Sequence, residues 1–364
     1  GLPASAEQPE DPSILTVKRI FDSNDFKSES FGPARWLHDN SGYTTLEDSE
    51  TIDGCKDIVL CDPETGHSSI LVPAERLIPP DSNEPLSIDD YSWSPGRKRL
   101  LIFTNTKRVW RTNTRGDYWV LNLRTKKLRR LGGDAEPSTL MFAKFSPDGR
   151  KVAYVHERNI YMQDLRTLKI RQLTSDGGEA IINGTSDWVY EEEFRLRDGF
   201  RWSPNGKWIA YWQFDTTGVP EFHLVNYTDS LYPKITSFEY PKVGQQNSAC
   251  RIGILNVASG KTRWLKTSDD TRNHYIPKLN WTPDSRAIVL QQLNRLQNRN
   301  EVIVARVRRA KTRTVMTDHD ESWLDVTESL NWLEDGKSFT WLSEQDGWRH
   351  IYLISRPSGK QTLL

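Results

Sequence analysis

Hydrophobic and polar positions along the chain fall into a unit that recurs about every fifty residues. The unit appears as YSWSPGRKRLLIF from Tyr91, AKFSPDGRKVAYV from Ala143, FRWSPNGKWIAYW from Phe200, LNWTPDSRAIVLQ from Leu279 and LNWLEDGKSFTWL from Leu330. An earlier relative, ARWLHDNSGYTTL, starts at Ala34. The lead aromatics Trp36, Trp93, Phe145, Trp202, Trp281 and Trp332 lie 57, 52, 57, 79 and 51 residues apart. In each unit the aromatic is expected to end a strand. Pro then fixes φ, and Gly, Asn or Asp accepts a positive φ, which makes a tight turn. Apolar and polar residues alternate after the turn at the period of a strand. A second element follows every time, as in DIVLCDPETG, DYWVLNLRTKK, NIYMQDLRTLK, RIGILNVASGK, EVIVARVRRAK and HIYLISRPSGK. It reads as a strand that ends in a polar hairpin turn.

Two hairpins per unit make a four-stranded antiparallel sheet, and repeated sheets of that size are propeller blades. The predicted fold is therefore all-β, a β-propeller with about six blades in this chain. A β-sandwich would explain strand content but not the recurrence of both elements. The long spacing of 79 holds an insertion within QFDTTGVPEFHLVNYTDSLYPKITSFEYPKVGQQN. Insertions between blade strands tend to build binding surface. A propeller must close to hide its sheet edges, and SGKQTLL falls partway through the sixth recurrence, so a longer native protein is expected. The domain reading is a flexible tail over residues 1–14 and an incomplete propeller over 15–364, with further blades beyond residue 364.

Composition narrows the partners. The chain has 364 residues, with 49 basic and 49 acidic side chains. This balance does not point to nucleic acid or an anionic membrane as the main partner. No run of about 20 apolar residues occurs. Cys55, Cys61 and Cys250 form neither a disulfide scaffold nor a metal pattern. Cys55 and Cys61 bracket a predicted strand that would hold them roughly 20 Å apart, too far for a bridge, so all three are expected as free thiols. The seven His residues do not cluster with Cys at zinc spacing, and no metal site is predicted. The N-terminus GLPASAEQPEDPS lacks the basic and apolar segments of a signal peptide, while its Ala-Ser-Ala points to an export-processing region and a periplasmic or secreted protein.

The candidate chemistry lies in DWVYEEEF, residues 187–194, which places Glu191, Glu192 and Glu193 among Trp188, Tyr190 and Phe194. Adjacent like charges repel, and aromatic neighbours make ionisation costlier, so the run is expected to receive a cation. An ammonium group has several donors for neighbouring carboxylates to share. A peptide α-amino group, with a pKa of about 8, suits the site at neutral pH. Two plainer readings stand beside this one: a solvated acidic turn, or internal pairing with Arg195 and Arg197 in FRLRDG. No Gly-x-Ser-x-Gly elbow occurs in the chain, so no catalytic residue is assigned within it.

These residues resemble the dipeptidyl peptidase IV family of the prolyl oligopeptidase clan of serine peptidases. The resemblance spans the chain after the tail. It rests on LTVKRIFDSNDF, FGPARWLHDNSGYTTLE, SDWVYEEEF, FRWSPNGKWIAYWQFD and SEQDGWRHIYLIS. It implies an eight-bladed propeller joined to a C-terminal α/β-hydrolase domain of the same polypeptide. The activity it implies is release of N-terminal dipeptides after Pro or Ala, without a cofactor, by a protein that forms a homodimer through the insertion. By motif position, Glu192 and Glu193 would bind the free N-terminus of a peptide substrate, with Glu191 beside them in the same acidic site. Arg111, in RVWRTNTRGDYWVL, would grip the carbonyl of the substrate's second residue. From the residues alone, Arg111 reads as a surface side chain packed along Trp110. Trp323, in DESWLD, would line the pocket for the penultimate residue, against the plainer reading of a core tryptophan. The family pattern has Pro after YPKVGQQN, where this chain has Ser248. A different class of function, a propeller that holds peptide N-termini without cleaving them, would show as a downstream sequence lacking the Ser elbow and its Asp and His.

Overall fold

A computed structural model describes residues 13–28, 31–37, 39–267, 270–326, 330–333 and 336–364. Residues 1–12 of the expected tail lie outside them. The chain divides into two compact units, Gly1–Ala74 and Glu75–Leu364.

The first unit opens with a short helix, Val17–Phe21, capped by the Thr16 hydroxyl, which accepts from the Arg19 amide at 3.1 Å. Its sheet orders Arg35–Trp36, Tyr43–Asp48, Lys56–Cys61 and Ser68–Val72 as an antiparallel meander. The CKDIVLC stretch is a strand as predicted, and all three cysteines are free thiols.

In the second unit the repeats become four-stranded meanders. The first two are Asp90–Trp93, Arg99–Arg108, Asn113–Asn122, Lys127–Arg130 and Leu140–Phe145, Lys151–His156, Asn159–Asp164, Ile170–Gln172. They merge into one eight-stranded sheet because Arg115 and Gly116 pair with Met141 and Leu140. Within the first of these meanders a Cβ at Gly116 would sit 2.5 Å from the Phe103 ring of the neighbouring strand, so the close strand contact there requires Gly. The third meander is Phe200–Trp202, Trp208–Asp215, Ala249–Asn256, Thr262–Trp264, with Ile181–Asn183 added beside Trp208–Asp215. The last two are His274–Trp281, Ala287–Asn294, Arg299–Arg306, Lys311–His319 and Asn331–Trp332, Ser338–Ser343, His350–Ser355, Gln361–Leu363. Each lead aromatic ends the first strand of its meander, as the repeat predicts. The insertion forms a hairpin of its own, Glu221–Asn226 paired with Lys234–Glu239.

The second strands differ from the expected polar alternation. Val152 and Tyr154 pack with Leu101, Tyr118 and Val120 of the preceding meander, whereas Ala153 and Val155 pack with Ile209, Tyr211 and Leu255 of the following one. Ile288 and Leu290 likewise meet Trp212, Ile252 and Ile254 on one side, and Val289 meets Phe339, Trp341 and Ile354 on the other. A sheet sandwiched between two neighbours buries both faces, so its central strands become almost continuously apolar. Period two then decides which neighbour each side chain meets.

The Ser-Pro-Asp-Gly turn closes by side chains. Ser146 Oγ accepts from the Lys151 amide at 3.0 Å, Asp148 accepts from the Ser146 hydroxyl at 2.6 Å and from the Arg150 amide at 3.1 Å, and Gly149 takes φ 65°. Thr282 and Asp284 repeat the pattern. In the second unit, at the hairpin between third and fourth strands, an Arg stitches each of the second, third and fourth meanders to the next. Arg171 donates to the carbonyls of Val257 and Ala258, Arg263 to Arg308, and Arg313 to Arg356. The opposite ends of the sheets are thereby left to the longer connections that carry the candidate chemistry.

Candidate functional site

DWVYEEEF is a helix, Trp188–Phe194, in the connection that enters the third meander of the second unit. Asp187 caps it by accepting from the Tyr190 amide at 2.9 Å, and Ser248 also donates to this buried carboxylate. Burial pushes the Asp187 carboxyl above its ordinary range, against the pull of these hydrogen bonds. The residue that departs from the family pattern is therefore a hydrogen-bond donor to the cap, which Pro would not be. Arg195 ends the helix in the left-handed region at φ 53°. Helical periodicity turns Val189, Tyr190, Glu191 and Phe194 inward. The Tyr190 hydroxyl accepts from the Ile276 amide at 3.0 Å, and its ring meets Phe214 at 4.6 Å.

The three carboxylates have different environments. Glu191 is 4% exposed and accepts from Arg197 Nε at 3.1 Å. Glu192 is 16% exposed, and both of its oxygens accept from Arg111 Nε at 2.7 Å. Glu193 is exposed and makes no ion pair among the described residues. The internal-pairing reading thus holds for Glu191 with Arg197. Arg195 serves as the helix C-cap and, among the described residues, pairs with none of the three. A freely solvated acidic turn does not fit, because Glu191 is buried on a helix face.

Arg111 lies in the turn between Arg99–Arg108 and Asn113–Asn122. Its side chain is 70% exposed, a surface position as the residues alone suggest. Trp110 meets Phe238 of the inserted hairpin at 4.9 Å, while Arg111 reaches Glu192, 81 residues away in sequence. The hydrogen bond from Arg111 to Glu192 raises the already high pKa of the guanidinium. Among the described residues only Nε is engaged, so the terminal Nη groups keep their donors for a carbonyl. The structure thus brings Glu191, Glu192, Glu193 and Arg111 together. Trp323 is 53% exposed, its indole donating to Asp325 at 3.3 Å. It is not a core tryptophan, and among the described residues it makes no ring contact with the acidic helix.

Sequence reasoning missed the aromatic bridge between these elements. Trp188 packs against Tyr240 with ring centroids 4.0 Å apart and the planes inclined by 37°, and meets Phe238 at 6.2 Å. It also missed a cleft of about 420 Å³ beside Asn113 and Thr114, lined by Tyr118, Phe142, Lys144 and Asp198. Lys144 donates to both Asp198 oxygens and to the Phe200 carbonyl at 2.9 Å, and lies over the Phe200 ring. Burial outweighs Asp198 and pushes the Lys144 ammonium down to about 8. Each of these contacts joins segments distant in sequence, so no local pattern announces it.

Residues 94–364 match the model of the dipeptidyl peptidase IV N-terminal region. The chain belongs to the dipeptidyl peptidase IV family. Among relatives in this family, Probable dipeptidyl peptidase 4 of Aspergillus fumigatus is 30% identical over 315 residues, covering 82% of this chain and 40% of the relative. Dipeptidyl peptidase 4 of Trichophyton tonsurans is 28% identical over 328 residues, covering 87% of this chain and 41% of the relative. The crystal structure of Porphyromonas gingivalis dipeptidyl peptidase 4 superposes with a TM-score of 0.86 at 28% identity, over 96% of this chain and 48% of that one. The four-stranded sheets are therefore blades of the dipeptidyl peptidase IV propeller region. The chain spans about 40% of the length of these curated relatives.

Proposed function

We propose that this propeller region anchors the free N-terminus of a peptide so that a serine peptidase active site outside this chain removes a dipeptide, after Pro or Ala. Glu193, exposed beside Glu192 on a capped helix and without an ion pair among the described residues, carries the reading. An ammonium group bridging the two would make charge-assisted hydrogen bonds to both. Arg111, oriented through Nε by Glu192, would offer Nη to the carbonyl of the second residue. With both points fixed, about two residues fit before the scissile bond, and the anchoring supplies orientation for attack. Glu191 serves the site indirectly, by tying the helix to Arg197. Trp323 is assigned to the penultimate-residue pocket on the family resemblance, and its exposure leaves it available for contact.

The same reading assigns the nucleophile and its partners to an α/β-hydrolase domain of the full-length protein. It also assigns a homodimer built on the hairpin, whose Leu224, Tyr227, Leu231, Tyr232 and Ile235 are all exposed, and a periplasmic or secreted location. The anchoring role is tested by Glu192→Ala with Glu193→Ala in the full-length protein. Turnover of a free-amino dipeptidyl substrate should fall by two orders of magnitude or more, for loss of two charge-assisted contacts worth ~1.5–3 kcal/mol each. Unchanged turnover would reject the role.

A further inference from the structure

The inserted hairpin carries one side chain placed to set the geometry between the two halves of the site. Its strands pair over their full length, and Phe238 alone among their residues is buried. The Phe238 ring meets Trp110 at 4.9 Å and Trp188 at 6.2 Å, and it packs with Tyr240 and Phe222 at 6.0 and 6.3 Å. Trp110 directly precedes Arg111. Trp188 opens the acidic helix four residues before Glu192, on the same helical face. One ring therefore touches the immediate supports of both Arg111 and Glu192, which belong to different blades. Arg111 itself is held within the described residues only through Nε, with most of its side chain exposed. The Arg111–Glu192 bond is the polar tie between the two elements, and the Trp110–Phe238–Trp188 contact is the apolar one.

We propose that Phe238 is a positioning residue: packed between Trp110 and Trp188, it fixes the separation of Arg111 from the Glu192–Glu193 pair and so the length of peptide end that fits between them. This inference rests on the anchoring reading above. It adds that the measure of two residues is set by the hairpin as well as by the groups that touch substrate. A polar tie alone can reorient about its bonds, whereas an aromatic wedge between two indoles resists both approach and separation. An ångström of slack at a positioned substrate can cost on the order of a hundredfold in rate.

The test uses the full-length protein with Phe238→Ala, Phe238→Leu and Phe238→Tyr. A peptide with a free N-terminus is digested, and released dipeptide and tripeptide are counted by mass spectrometry. Their ratio does not depend on how much of each variant is folded. For Phe238→Ala the ratio of dipeptide to tripeptide should fall about tenfold, and KM for a free-amino dipeptidyl substrate should rise by a similar factor. Phe238→Leu should move both the same way by less, and it carries the test if the Ala variant fails to fold. Phe238→Tyr, which keeps the ring, should restore the wild-type ratio. Lower turnover with unchanged ratio and KM would overturn the proposal and leave Phe238 a packing residue. The Glu192→Ala, Glu193→Ala protein separates the two claims. If that variant loses turnover while Phe238→Ala keeps the wild-type ratio, only the positioning role fails; if it is itself unaffected, the anchoring reading fails first.

Discussion

Replacing Arg197 with Ala should loosen the acidic helix far more than neutralising its partner Glu191. Glu191 is 4% exposed and Arg197 32%, with a single hydrogen bond of 3.1 Å between them. At an effective dielectric of about 20 the attraction is ~4 kcal/mol before desolvation. Removing one partner of a fully buried pair costs ~3–5 kcal/mol. A third of the Arg197 side chain meets water, so screening lowers the loss here to ~2–3 kcal/mol for Arg197→Ala. Glu191→Gln strands a guanidinium that water can reach, at ~1 kcal/mol. The double variant should resemble Glu191→Gln, because the stranded carboxylate is gone. Hydrogen exchange of amides 188–194 in the full-length protein reads these as local opening. We expect ~30- to 150-fold faster exchange for Arg197→Ala and ~5-fold for Glu191→Gln. Equal effects, or a larger one for Glu191→Gln, would refute the assignment of the burial cost to Glu191.

At the N-cap, Asp187→Ala should speed exchange of the same amides by about 5- to 30-fold, for a cap worth ~1–2 kcal/mol, while Asp187→Asn should be nearly neutral because Asn caps equally well; a large effect of Asn would mean that the charge, not the cap, matters. The Lys144 ammonium titrates near 8 when folded against an ordinary 10.5. The unfolded chain therefore holds more protons between these values, and stability should rise with pH through that window, by at most ~1.4 kcal/mol per unit. Lys144→Met should remove this slope, measured as the wild-type minus variant difference in urea midpoint between pH 8 and 10; an unchanged slope would contradict the buried-ammonium assignment. Above pH 10 the Tyr211 phenol, pushed up to about 12 by burial, works in the opposite sense, its stabilisation being lost as pH rises.

The blades were legible because their determinants are local. Ser146, Pro147, Asp148 and Gly149 specify their turn within four residues, and the Thr282 turn forms with Ser285 in place of Gly, at φ 58°. The merger of the first two meanders in the second unit was not legible, because it rests on Arg115 and Gly116 pairing with Met141 and Leu140 of the next meander, which no local pattern announces. The acidic helix was noticed for its charge, but its helicity was not foreseen. Its three Glu are good helix formers, but they adjoin one another as like charges, and Trp188, Val189, Tyr190 and Phe194 around them are weak ones, so only the Asp187 cap signalled a helix locally. Arg111 was reached through resemblance alone, since its partner lies 81 residues on. Phe238 had no signal at all: in the sequence it is one apolar residue in a hairpin whose other large side chains are mostly exposed, and only the fold shows that it is the one turned inward.

The central claim is that Glu192 and Glu193 hold a peptide's charged amino end. Calorimetric titration of the full-length protein with a non-cleavable peptide, once with a free amino group and once N-acetylated, addresses it directly. A half-exposed ammonium–carboxylate contact worth ~2 kcal/mol predicts about 30-fold tighter binding of the free-amino peptide. That preference should disappear in Glu192→Ala, Glu193→Ala. Equal affinity of the wild-type protein for the two peptides, or a preference that survives loss of both carboxylates, would contradict the account.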